Sequence, residues 1–193
     1  MRGFARYVVL GCAFVAVVVA LLLSRGWAGM RAGQSSDEVL AHLHEHMPST
    51  SVEAPKTTLP SDSNSMPALD VGGNAYIGSL AIPSLDLDLP IAATCTDELL
   101  RISPCRFEGS YVTNDIVICG EGYARHFGSI GSLGIRDEVR LQTVDGVLYR
   151  YVVSNVETDR MEDITAIMDD WDLTLFTFNA DGSCCVVRCV RVT

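Results

Sequence analysis

Residues 173–189 read LTLFTFNADGSCCVVRC and have the pattern of two β-strands joined by a turn. The first half is a β-prone run that ends at Phe178, and the second half is rich in valine and cysteine. Between them, asparagine and the Asp181-Gly182 pair tolerate the positive φ angles of a tight turn. The stretch predicts a β-hairpin, and its three cysteines are either a reactive thiol site or packed sulfurs.

Strand patterns continue towards the amino terminus. YIGSLAIP, from Tyr76, alternates apolar with small or polar residues and stops at a proline. LDLDLPI, residues 85–91, places its leucines on one face and its aspartates on the other. DIVICG, EVRLQTV and VLYRYVVSNVE follow, the last after a turn at residues 144–146, and short helices are predicted near residues 96–102 and 161–170. Seven or eight short strands with only short inserted helices predict a mainly β domain that closes into a small barrel.

An unbroken apolar run, YVVLGCAFVAVVVALLL, covers residues 7–23. Its length is near the lower limit for crossing a hydrocarbon layer of about 30 Å. It exceeds the apolar core of a signal peptide, commonly about 7–15 residues, and no small-x-small cleavage site follows it. We therefore expect a single-pass plasma-membrane anchor, with residues 1–6 cytoplasmic and the carboxy-terminal part of the chain extracytoplasmic.

Residues 24–73 are rich in serine, threonine, proline and acids, which predicts an extracytoplasmic linker before a folded domain at residues 74–193. Within the linker, SSDEVLAHLHEHM predicts a short helix. Its histidines, His42, His44 and His46, raise the question of a metal site. On a helix His44 points away from the other two, and no cysteine or second carboxylate cluster completes a tetrahedral site. The sequence therefore favours a solvated helix face, and neither a metal nor a cofactor is expected.

The net charge of −10 and the single lysine argue against a nucleic-acid partner, because phosphate binding needs clustered basic residues. Six cysteines lie outside the anchor, an even number that is compatible with disulfides in an oxidising compartment. Adjacent cysteines rarely pair, and cysteines within apolar strands behave as small hydrophobes. Mostly reduced, buried thiols are the favoured interpretation. The six are Cys95, Cys105, Cys119, Cys184, Cys185 and Cys189.

The order of these motifs resembles the sortases, cysteine transpeptidases of Gram-positive bacterial surfaces. The resemblance rests on the anchor, YIGSLAIPSLDLDLPI, NDIVICGEGYARHFGSIGSLGIRDEV and the final pair LTLFTF and CVVRCVRV, and it covers about Tyr76 to Thr193. A short helix between the sixth and seventh strands looks more like class B sortases than class A. The resemblance implies a closed eight-stranded β-barrel with short inserted helices.

The family carries a histidine after the fourth strand, a nucleophilic cysteine ending the seventh and an arginine on the eighth. In this sequence the corresponding positions hold Glu121, Phe178 and Cys184, or Cys185 if the turn differs by one residue. A carboxylate in place of histidine disfavours a neighbouring thiolate. All three positions thus depart from the family pattern, so no catalytic residue is intact.

Structural roles are also expected for side chains at these positions. Phe178 is expected to fill the floor of the cleft with apolar area. Glu121 must either reach solvent or pair with Arg125 or Arg188, because a lone buried carboxylate is costly. His126 matches the HFG segment, which is structural in the family.

Three functions follow from this resemblance. The favoured one is a catalytically degenerate, membrane-anchored sortase that binds a sorting-signal peptide or a surface protein on the outside of a Gram-positive cell. The second is an active transpeptidase with Cys184 or Cys185 as relocated nucleophile, Glu121 as base and Arg188 as displaced oxyanion donor. The third is a structural or accessory partner of another sortase or of pilus subunits.

Overall fold

The computed structural model describes residues 33–48, 52–53, 66–160, 167–168 and 170–192. The predicted anchor at residues 7–23 and most of the helix predicted near residues 161–170 lie outside this part of the chain. Within the described ranges, no helix is both long and apolar enough to cross a membrane.

The described residues form one ten-stranded sheet with short helices around it. Helix α1 comprises residues 33–46, and α2 is Asp97–Leu100. Two 3-10 helices span Pro83–Leu85 and Phe127–Ser132. The strands are β1 (Val52–Glu53), β2 (Leu69–Val71), β3 (Asn74–Ile82), β4 (Leu87–Ala92), β5 (Cys105–Glu108), β6 (Ile116–Cys119), β7 (Glu138–Thr143), β8 (Val147–Asp159), β9 (Leu173–Phe178) and β10 (Cys184–Val192).

Strands β3 to β10 close into a barrel. The hydrogen-bonded order runs β8-β10-β9-β6-β5-β4-β3, and β7 pairs with both β3 and β8, so the sheet returns on itself. Apolar side chains of every barrel strand except β5, and of the second 3-10 helix, fill the interior and include Leu80, Phe127, Leu141 and Leu175. This confirms the closed eight-stranded barrel. Strands β1 and β2 lie outside the closed circuit.

Both predicted turns are present. Strands β7 and β8 pair as an antiparallel hairpin whose turn contains Gly146 at φ +84°. Between β9 and β10, Gly182 has φ +83°, and the Asn179 backbone amide donates to the Ser183 carbonyl. In both turns the positive φ falls on glycine, the residue that adopts this backbone conformation without steric cost.

The strand predicted at residues 85–91 begins two residues later than expected. Pro83–Leu85 form a 3-10 turn, and Asp86 has the left-handed conformation at φ 52°. Because proline holds its own φ near −65°, it starts the turn, and the chain re-enters the sheet only at β4. The predicted alternation therefore applies from Leu87 onwards.

Helix α1 packs on the barrel rather than standing apart from it. Leu43 is completely buried and Met47 nearly so, in a cluster that includes Tyr76 and Leu99. The short helix predicted within residues 24–73 is present, and both it and β2 pack on the domain rather than forming a separate spacer. A segment that cannot form a core of its own can still bury a few apolar side chains on a neighbour.

We expect Leu43→Ala to lower the free energy of unfolding of the purified protein by about 2–5 kcal/mol, because the change empties a buried site. Urea titration followed by circular dichroism measures this. Ile135→Ala, at a side chain that is 61% exposed, serves as control and should change the value by less than about 0.5 kcal/mol. Equal effects of the two substitutions would show that α1 does not pack as described.

Candidate functional site

The β9–β10 hairpin presents two faces with different surroundings. Its register pairs Phe178 with Cys184 and Thr177 with Cys185. Because side chains alternate along a strand, Cys184 shares a face with Phe178, whereas Cys185 lies on the opposite face. Cys185 belongs to the cluster inside the barrel. Cys184 belongs to a second apolar cluster on the outer surface, which we call the outer-face cluster; its buried members are Val117, Cys119, Ile167, Phe176, Cys184 and Val186.

Strand β6 brings the third predicted site position to the same place. It runs parallel to β9, with Cys119 opposite Phe176, and the Gly120 amide donates to the Phe176 carbonyl at 3.0 Å. Past the strand end, a Cβ on Gly122 would lie 3.2 Å from the Phe178 carbonyl oxygen. Glu121, Phe178 and Cys184 therefore lie at adjoining ends of three neighbouring strands.

The loop after β6 is held close to the barrel by an aromatic side chain. Gly120 packs directly against the ring of Phe127, which is fully buried. A side chain at this position would not fit, because its Cβ would lie only 2.5 Å from the ring. The Phe127 amide donates to the Glu121 carbonyl at 3.1 Å, and His126 is buried with its ring 5.6 Å from that of Tyr123. His126 thus belongs to the packed loop, as the sequence interpretation held.

Phe178 is half exposed, with 51% of its surface accessible. The sequence interpretation expected it to fill the floor of the cleft, and this is wrong. The fully buried aromatic ring of this face is that of Phe176, which contacts Phe107 edge-on at 5.3 Å between ring centroids. Phe178 contacts Phe176 in the same edge-on manner at 5.9 Å. As the last residue of β9, Phe178 thus exposes part of this aromatic surface to solvent.

The surroundings of Cys184 disfavour the thiolate, which is the nucleophilic form of cysteine. Only 1% of its surface is exposed, and burial raises the pKa of its thiol to about 11. Cys185 is also buried, on the barrel-interior face. All six cysteines of the described residues are free thiols, and Cys95 is the only one of them that is not buried.

The sequence matches the sortase-domain family profile over residues 80–184, more than half of the chain. The chain belongs to the sortase family. Among solved structures, it is similar to a lid mutant of sortase A from Corynebacterium diphtheriae, with 22% identity, a TM-score of 0.55 and coverage of 61% of this chain and 70% of that chain. Sortase C from Clostridium perfringens SM101 has 21% identity and a TM-score of 0.52 over 61% of this chain and 70% of that chain.

A third structure, sortase C1 from Streptococcus agalactiae, has 23% identity and a TM-score of 0.55 over 65% of this chain and 71% of that chain. At these identities the likeness shows the fold alone. No curated protein matches the chain. The class B likeness stays a prediction, because the helix on which it depends lies mostly outside the described residues.

The charged residues around the candidate site show how Glu121 is accommodated. The sequence left Glu121 either to reach solvent or to pair with Arg125 or Arg188. Arg125 instead binds Asp37 of α1 at 2.7 Å, and the Nε of buried Arg188 donates to Glu157 at 3.0 Å. In the described part of the chain Glu121 takes part in no ion pair, and its partial exposure lets the carboxylate reach solvent.

The sequence predicted three positions for the site, and two further features of the chain were not predicted from it. Asp37 of α1 reaches Arg125 in the loop that follows Glu121, a contact across 88 residues of sequence that no local pattern reveals. Glu45 of α1 was also missed. Together with His42 and His46 it forms the only group of three or more metal-ligating side chains in suitable proximity within the described residues.

We expect Cys184 of the folded protein to resist alkylation at pH 7.5 about as strongly as Cys189, whose thiol pKa is also raised by burial, to about 12. The thiolate is the reactive form, so rates should rise with pH up to these values. Iodoacetamide labelling with peptide mapping by mass spectrometry measures each site. Partly exposed Cys95 should react before either of them. Faster modification of Cys184 than of Cys95 would contradict the burial, and labelling in urea controls for access.

Proposed function

We propose that this protein is a membrane-anchored member of the sortase family that binds a peptide or protein strand outside the plasma membrane of a Gram-positive cell and does not acylate itself. The observation that carries the proposal is the meeting of Glu121, Phe178 and Cys184 at neighbouring strand ends, with an exposed aromatic ring and a buried thiol there.

Acyl transfer at this place lacks a competent nucleophile. A phenyl ring has no nucleophilic atom, and a thiol with a pKa of about 11 carries only about one thiolate per 10⁴ molecules at pH 7. Neighbouring groups that lower a thiol pKa are cations or histidines, whereas Glu121, two residues past the end of β6, is a carboxylate. The burial of Cys184 and Cys185 likewise weighs against a relocated transpeptidase site.

The same surface has features suited to binding an extended peptide. The half-exposed ring of Phe178 adjoins buried Phe176, so an apolar side chain placed there would remove further aromatic surface from water. Glu121, at the end of the neighbouring strand, is partly exposed and adds a negative charge to this surface. These features favour a segment with an apolar residue beside a basic one.

The position of the protein at the cell surface is inferred from its first residues. The apolar run at residues 7–23 has the length and basic flanks of a single-pass anchor, which would leave the barrel outside the plasma membrane. A sorting-signal peptide or a surface protein is the partner class that this location favours.

The test uses the full chain in nanodiscs and a panel of fluorescent sorting-signal peptides. Fluorescence anisotropy should detect binding, and intact-mass spectrometry should show neither peptide cleavage nor an acyl-protein adduct. Phe178→Ala should weaken binding about 10-fold, the cost of losing about 1.4 kcal/mol of apolar contact. Ile135→Ala, exposed elsewhere, should not change it. An acyl adduct on Cys184 or Cys185 would refute the proposal.

Restoring the family residues tests whether the three substitutions alone account for the proposed lack of acyl transfer. The triple variant Glu121→His, Phe178→Cys and Cys184→Arg places base, nucleophile and cation at positions that the fold already brings together. We expect it to form a thioester adduct with a sorting-signal peptide, visible by mass spectrometry. The double variant that keeps Phe178 is the matched control and should form none. A folded triple variant without an adduct would contradict the idea that these three side chains alone prevent acyl transfer.

A further inference from the structure

We propose that His42, Glu45 and His46 of α1 form a binding site for a divalent transition-metal ion of the zinc type. The ligand atoms of the three side chains all lie within 4.8 Å of one another. Their spacing of three and four residues places them on one face of the helix. Ligands of a tetrahedral zinc ion lie about 3.3 Å apart for bonds of about 2.0–2.1 Å. Small side-chain rotations would therefore bring the three atoms into bonding positions.

A hydrogen bond prepares His46 for this role. Its Nδ1 lies 2.8 Å from the His42 carbonyl oxygen, and since that oxygen can only accept, the neutral ring carries its proton on Nδ1. The lone pair then resides on Nε2, which is free to bind a metal. Metal-binding histidines in proteins commonly donate their other ring nitrogen to a backbone carbonyl in this way. The two imidazole rings are also nearly parallel, at 21° and 6.1 Å between centroids.

The packing of α1 turns these side chains outward. Leu43 and Met47 bury the opposite face of the helix on the barrel, and the ion pair between Asp37 and Arg125 holds its other end. His42, Glu45 and His46 are all exposed. An ion from solvent can therefore reach the three ligands without any rearrangement of the domain.

The donor set selects the class of ion. Two imidazoles and one carboxylate suit Zn²⁺, Ni²⁺ or Cu²⁺, whereas Ca²⁺ and Mg²⁺ prefer oxygen ligands alone. The net charge of −10 adds an attractive field for any cation. The sequence predicted no metal, because His44 points away from the other two histidines and no cysteine or second carboxylate cluster was seen. The three-ligand group instead uses Glu45 beside His42 and His46.

A bound ion would tie together the last turn of α1, which contains Leu43. The metal should therefore stabilise the packing of this helix on the barrel. His44 lies on another face of α1, with its Nε2 3.9 Å from Asp88 of β4. It takes no part in the three-ligand group and supplies a matched control on the same helix.

The test measures binding of Zn²⁺ to the full-length protein in detergent by titration calorimetry, with thermal unfolding in parallel. The wild-type protein should bind the ion and unfold at a higher temperature in its presence. His42→Ala/His46→Ala should lose both effects. Glu45→Gln should bind at least about 10-fold more weakly, since losing even an outer partner of a metal site costs about 10–100-fold. His44→Ala should behave as the wild type.

All variants keep every cysteine, so metal bound by thiols appears equally in each and is subtracted. Co²⁺ spectra provide a second readout, because bands that disappear in the double variant must come from these ligands. In the wild-type protein, Zn²⁺ should also protect His42 and His46, but not His44, from diethyl pyrocarbonate. Equal binding by the wild type and the double variant, an equal loss in His44→Ala, or no protection would each overturn the proposal.

Discussion

The fold depends on the two edges of strand β7, which hydrogen-bond to β3 on one side and to β8 on the other. Without these two ladders the other seven barrel strands would form an open sheet with β3 and β8 unpaired along those edges. Closure removes both edges and encloses an interior of aliphatic and aromatic side chains. Within the barrel β6, β9 and β10 hydrogen-bond side by side, and Glu121, Phe178 and Cys184 lie at or just past their ends.

Apolar side chains pack together on the outer face of these three strands. Phe176 and Cys184 are buried there. Phe178 extends this surface into solvent, while Arg188 of the same face is engaged with Glu157. At these strand ends a half-exposed aromatic ring therefore lies beside a buried thiol, and the proposed peptide-binding function rests on this surface.

Helix α1 connects this site to the chain that precedes the barrel. Its apolar side packs beside Tyr76, its Asp37 binds the loop after β6, and its opposite side displays the histidine and glutamate ligands. A segment of 14 helical residues has few local means of remaining folded alone, because helix nucleation is costly. Contact with the barrel stabilises it, and an ion on its exposed face would add to that stability.

By itself, the sequence determined the family, the two glycine turns and seven of the eight barrel strands, because these depend on local alternation, turn chemistry and short motifs. It missed the short strand β5, and the three site positions stay a prediction. The start of β4 was misplaced, since alternation continues through the turn that Pro83 and Asp86 impose. Tertiary structure alone decided that Phe178 is exposed, that Cys184 is buried, that α1 packs on the barrel and that Arg188 pairs with Glu157. Each of these depends on which distant segment covers a side chain, and barrel closure rather than any local pattern sets those contacts.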